Sequence, residues 1–128
     1  MKSIANHIQT HADALNLRSK RNEILASNIV NSATPNFKAR DIDFNEALRA
    51  RMDVGPVNVS NERHFKFYTG SGDEAAQFRQ SVNPSVDGNT VELHVEQMQF
   101  SENVMRYQTS LEFLNRKFSG LISAIKGE

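Results

Sequence analysis

The strongest pattern in the chain lies in its last third. Leu93, Gln97, Phe100, Val104, Tyr107, Leu111, Leu114, Phe118, Leu121 and Ile125 follow one another in alternating steps of four and three, and only Gln97 is polar. That spacing keeps a single helical face apolar and predicts an α-helix over residues 90–126. Asp87-Gly88 reads as the turn before it, and Asn89 with Glu92 three residues later has the spacing of a capping box. Val91, Met98 and Met105 add a second stripe to its first half. At 1.5 Å per residue such a helix would be roughly 55 Å long. A globule of 128 residues cannot bury a seam of that length, so the helix needs a partner helix.

The first 32 residues supply one. Ser3 is a fair N-cap, and Ile4, Ile8, Leu15, Leu25 and Ile29 fit the same repeat, with His11, Arg18 and Asn22 as polar members. Ala5, Ala12, Ser19 and Ala26 line one side of the seam, where another backbone could approach closely, and Leu17 and Ile24 form a second narrow stripe. Thr34-Pro35 ends the helix, because the residue before proline is pushed out of the α region.

Between the two helices the breakers gather: Gly55, Pro56, Gly70, Gly72, Pro84 and Gly88 all lie between residues 53 and 90. A short helix is expected after Asp43, which has Glu46 three residues on and Phe44, Ala47, Leu48 and Met52 as its apolar face, ending at Gly55-Pro56. His64 to Tyr68 alternates, and a second strand is expected around Gln77 to Val82, giving a small β-hairpin or else a polar loop ordered only by a partner. The fold class is therefore mainly α, with two long terminal helices packed as a coiled coil. Residues 1–34 and 90–128 form that unit, and 35–89 are an extended middle segment packing outside it.

Charge and chemistry narrow the function. Fifteen basic residues balance fifteen acidic ones, against a nucleic-acid binder, which needs a positive excess. No apolar run reaches the roughly 18 residues of a membrane span. The first residues have no signal-peptide character. Without cysteine there is no disulfide, thiol catalysis or zinc–thiolate site. His7 and His11 have a metal-ligand spacing on a helix, but Ile8 stands where a metalloprotease has its glutamate and no third ligand follows. Gly70-Ser71-Gly72 runs into Asp73-Glu74, which would repel phosphate. Arg18, Lys20 and Arg21 read as a solvated helix face. Neither an enzyme, a cofactor nor a bound metal is expected. The pattern fits a polymerising helical subunit, or a free-standing adaptor or chaperone whose seam binds a partner helix.

The segment after the first helix is more specific. Asn28, Asn31, Thr34 and Pro35 are followed by Phe37 and by Lys38-Ala39-Arg40-Asp41-Ile42-Asp43-Phe44. The two asparagines put amides on the last helical turns, where carbonyls lack partners. This stretch resembles the N-x-x-N-x-x-T-P signature of the flagellar axial proteins (rod, hook and hook-associated proteins), and its continuation resembles the rod members of the proximal end. Ala14 to Arg18, Asp87 to Val91, Asn103, Tyr107 and Arg116 to Leu121 also fit. Asn36 departs from the family's usual glycine, but asparagine tolerates a left-handed backbone. The resemblance implies a structural subunit of the basal-body rod whose terminal helices form the inner tube. Its implied partners are copies of itself, rod proteins of FlgC and FlgF type, the adaptor FliE and the flagellar type III export apparatus. It further implies export without a cleaved signal to the periplasmic side of the basal body.

Overall fold

The computed structural model describes residues 2–53, 76–83 and 85–127, with side chains from residue 8 onward. Helix α1 spans Lys2–Val30, strand β1 Arg40–Ile42, helix α2 Phe44–Asp53, strand β2 Ala76–Phe78 and helix α3 Leu93–Lys126. The mainly α architecture with two long terminal helices is the one the periodicity predicts.

α1 packs chiefly against α3 and also against α2 and β1. Arg18 and Asn22 meet Asn103, Arg21 meets Gln99 and Asn28 meets Glu96, so numbers rise on α1 as they fall on α3. The pair is antiparallel. Continued at that register, the start of α1 reaches only to about Ser119, and the last two turns of α3 run past it. α2 lies antiparallel to α1 in turn, with its first residue, Phe44, under Arg18 and Arg51 donating to the Asp13 carbonyl at 3.4 Å.

Leu15, Leu17, Leu25, Ala39 and Ile42 are the buried apolar residues among those described. Leu15 and Leu17 stand 200° apart on a helix of 100° per residue, so burying both requires cover on opposite sides of α1. α3 provides one side and the β1–α2 segment the other. For this reason Leu17, read from sequence as part of a minor stripe, is among the most buried residues, at 1 % exposure.

α2 starts as expected: Asp43 Oδ1 accepts the backbone N–H groups of Asn45 and Glu46, at 2.9 and 3.0 Å. Three other boundaries differ from the sequence reading. β2 pairs antiparallel with β1, Arg40 opposite Phe78 and Ile42 opposite Ala76, and the expected strand over 64–68 lies outside the described residues. α1 ends at Val30, a turn before Pro35. α3 begins at Leu93 rather than 90, with Glu92 as an N-cap that makes no side-chain cap bond. Both halves of the expected capping box are engaged elsewhere: Glu92 Oε1 accepts the Asn83 N–H at 2.9 Å, and Asn89 reaches back to α1. Gly127 closes α3 in the left-handed conformation, φ 77°, its N–H donating to the Ser123 carbonyl.

Candidate assembly site

The turn after α1 is built by its own polar side chains. Asn31 Nδ2 donates at 2.8 Å to the Ser27 carbonyl, which also accepts the Asn31 backbone N–H at 3.1 Å, and Thr34 Oγ1 donates to Asn31 Oδ1 at 3.1 Å. Asn36 then takes φ 61°, the left-handed backbone its side chain tolerates. Pro35 is exposed and Phe37 half-buried.

Fifty residues on, the loop before α3 clamps this turn. Asn89, 4 % exposed, directs its amide nitrogen at the carbonyls of Asn31, Ser32 and Thr34, at 2.9–3.0 Å, while its Oδ1 accepts the Val91 N–H. Asn36 N–H donates to the Asp87 carbonyl, Thr90 N–H to the Phe37 carbonyl, and Ala39 N–H to Thr90 Oγ1. Asp87 accepts from the Ser85 hydroxyl and the Asn89 N–H, which hold its carboxyl below the usual 3.8. Gly88 sits at φ +76° against Asn36, where a Cβ would lie 2.6 Å from Oδ1. The blocks Asn31–Phe37 and Asp87–Val91, distant in sequence, are thus one structure.

A buried polar network joins the layers above it. The Asn28 side chain pairs with the Arg40 backbone in both directions, Nδ2 to its carbonyl at 2.7 Å and Oδ1 from its N–H at 3.2 Å. It thereby extends the edge of β1 and fixes that strand to the helix. Asn28 Nδ2 also donates to Glu96 Oε2, and the fully buried Glu96 carboxylate forms an ion pair with Arg79 just after β2. Arg79 approaches Asp41 at 3.7 Å, Asp41 holds Arg21 through two bonds of 2.8 and 2.9 Å, and Arg21 reaches Gln99. Its bond to Asp41 raises the Arg21 pKa, outweighing the burial that opposes it. Arg18 and Arg21 are therefore not a solvated face. They lie in the groove between α1, α3 and the β1–α2 junction, Arg18 stacked 4.0 Å from the centre of the Phe44 ring. Asn103, buried on α3, donates to the Arg18 carbonyl and to Asn22 Oδ1.

Among the seam residues, Leu15 and Leu25 are buried and Ile8 and Ile29 half-buried; the Ile4 side chain lies outside those described. On α3, Phe100, Val104, Tyr107, Leu114 and Leu121 are half-buried, but Leu93, Leu111, Phe118 and Ile125 are exposed, Ile125 at 85 %. The residues of α3 buried against α1 are Glu96 and Asn103, a heptad apart. Leu93, Phe100, Val104, Leu111, Phe118 and Ile122 fall in an arc about 70° around from that line. Met98 and Met105 are exposed on the far side. The α3 apolar face is broader than α1 can cover: Tyr107, Leu114 and Leu121 lie near the Glu96–Asn103 line, while Leu93, Leu111 and Phe118 of the same seam stay exposed. Sequence reasoning missed Glu96, Arg79 and the real partners of Asn89; two polar residues seven apart within an apolar face were the available sign for Glu96 and Asn103.

A pair of long antiparallel helices with large apolar side chains left exposed has the make-up of a helical structural protein. Residues 8–38 match the profile of a family described as Flagella basal body rod protein. The chain is 51% identical to the flagellar basal body rod protein FlgB of Cereibacter sphaeroides over 128 residues, the whole of both chains. It is 46% identical to FlgB of Aeromonas hydrophila over 121 residues, 92% of this chain and 91% of the relative. With FlgB of Salmonella typhimurium the identity is 37% over 123 residues, 90% of this chain and 89% of the relative. The chain belongs to the FlgB family of flagellar basal body rod proteins. It is a structural subunit of the flagellar rod, located in the basal body. Among the described residues no helix is long and apolar enough to cross a membrane.

Proposed function

We propose that the subunit polymerises at the proximal end of the rod by burying the uncovered faces of its terminal helices against neighbouring helices, with no catalytic step. The single observation carrying this reading is the line Leu93, Leu111, Phe118 and Ile122 on α3, each at least 38 % exposed. Fully burying an exposed side chain of this kind is favourable by about 1.5–3 kcal/mol, so covering what is still exposed here adds roughly 1 kcal/mol per residue, and the same face recurs in every subunit. Met98 and Met105, on the other side of α3, give that helix a second neighbour.

Within this reading, residues 1–34 and 90–128 are the polymerising unit and 35–89 the outer segment. Asn28, Asn31, Thr34, Pro35, Phe37, Asp43 and Phe44 set the path by which the chain turns back along α1, and so the shape the neighbours meet. The polar seam residues Arg18 and Asn22, both bonded to Asn103 on α3, fix register, a use attested for polar positions in coiled coils; Gln97, the polar seam residue of α3, is exposed. The neighbours are copies of the chain, rod proteins of FlgC and FlgF type and the adaptor FliE; the chain reaches them through the flagellar export apparatus without signal cleavage.

The test is Phe118→Asp, which would place a carboxylate in a helix–helix contact but on the surface of the free subunit. The free protein is expected to melt like the parent, to be exported, and to form no rods. Glu112→Ala, which removes a surface pair with Arg116, is expected to be silent. Rods of normal number from Phe118→Asp would refute the assembly mechanism.

A further inference from the structure

The groove between α1, α3 and the β1–α2 junction holds an arginine with no ion-pair partner among the described residues. Arg18, Arg21, Arg79 and Arg106 all line it, in a space of about 450 Å³. Three of the four have carboxylate partners: Arg21 has Asp41, Arg79 has Glu96, and Arg106 has Glu102. Asp43, the remaining acid on the wall, is engaged in capping α2. Arg18 has none. Its guanidinium stacks on Phe44 and donates from Nη1 to Asn103 Oδ1 at a long 3.4 Å, while its buried Nε meets no acceptor.

An unpartnered donor on a charged group is costly, because desolvation is not repaid by a bond. Burial, and then repulsion by Arg106 and Arg21, lower the Arg18 pKa, and attraction to Glu102 offsets this only in part. A carboxylate entering the groove would accept from the terminal nitrogens of the guanidinium and offset the repulsion from Arg106 and Arg21. Arginine also favours such a partner, since its planar donors match a carboxylate and its face can remain on the aromatic ring.

We infer that this groove receives an acidic side chain, Asp or Glu, from a neighbouring rod subunit, and that Arg18 is the residue that binds it. The inference rests on the assembly reading above and adds to it the chemistry of one contact.

The test uses the full chain in its native rod. Arg18→Met keeps the apolar stem over Phe44 and removes the charge. The free protein is expected to melt within a few degrees of the parent, while cells lose rods and swimming. In an Arg18→Glu background, exposed acidic residues of the rod proteins, this chain included, would be changed to Lys one at a time. Restoration of rods by such a change is the expected result. Normal rods with Arg18→Met, rod loss accompanied by an equally large fall in melting temperature, or no restoring partner across the scan would each overturn the inference. Deletion of the whole chain separates the two claims. If deletion leaves rods intact, the assembly reading fails; if it abolishes rods while Arg18→Met forms them, only the groove inference fails.

Discussion

Glu96→Gln isolates the charge at the centre of the buried network. The substitution keeps the size of the side chain and an oxygen for Asn28, but leaves the Arg79 guanidinium without its carboxylate. Removing one partner of a buried ion pair typically costs about 3–5 kcal/mol. Here the loss is smaller for two reasons. Arg79 is 25% exposed, so water can solvate part of it, and Asp41 remains at 3.7 Å. A destabilisation of about 2–3 kcal/mol is expected. For a domain of this size each kcal/mol moves the melting temperature by roughly 3–5 °C, giving a fall of about 6–15 °C. Glu112→Gln is the matched control. Its pair with Arg116 joins two side chains at least 64% exposed and spans four residues on one helix, worth at most about 0.5 kcal/mol. Thermal and urea melts of the dilute free subunit would compare the two. Equal stability of Glu96→Gln and Glu112→Gln would refute the claim that the buried carboxylate holds β2 and α1 to α3.

Three further outcomes follow from the clamp between the turn after α1 and the loop before α3. Asn89→Ala removes an amide serving three carbonyls and a bond to Val91, and a loss of about 2–3 kcal/mol is expected in urea melts. Gly88→Ala should destabilise by about 1–2 kcal/mol, the cost of a left-handed alanine, because the short Asn36 side chain can move away from the added Cβ; calorimetry measures it. The depressed Asp87 pKa makes the clamp acid-sensitive. Its contribution is fully present above the unfolded value near 3.8 and is lost as pH falls through the lower folded value. A carboxyl NMR titration should place the Asp87 midpoint below 3.8 in the parent and raise it in Ser85→Ala.

Helix positions were readable because periodicity reports which faces must be covered. The Asp43 cap was legible from its spacing to Glu46, and the left-handed Asn36 from the resemblance to a family with glycine at that position. What periodicity could not report is how much of an apolar face one partner covers. Leu17 looked marginal until β1 and α2 were placed across α1, and Phe118 looked internal until the width of the α3 face was compared with a single partner. Asn89 and Glu92 have the spacing of a capping box, yet Asn89 satisfies three carbonyls at the end of α1 where a cap would satisfy fewer groups. Such a choice depends on residues fifty positions away. The Glu96–Arg79 pair is invisible in sequence for a different reason: nothing near Arg79 indicates that its strand pairs with residues 40–42.

The most direct test of assembly through uncovered helix faces is a side-chain-resolution map of the intact basal body. Leu93, Leu111, Phe118 and Ile122 are expected in contact with helices of neighbouring subunits, their exposure reduced to the level of Leu25 in the free chain, while α1 and α3 keep the antiparallel register set by Asn103 with Arg18 and Asn22. A rod in which those four side chains remain in solvent, with subunits joined through other surfaces, would contradict it.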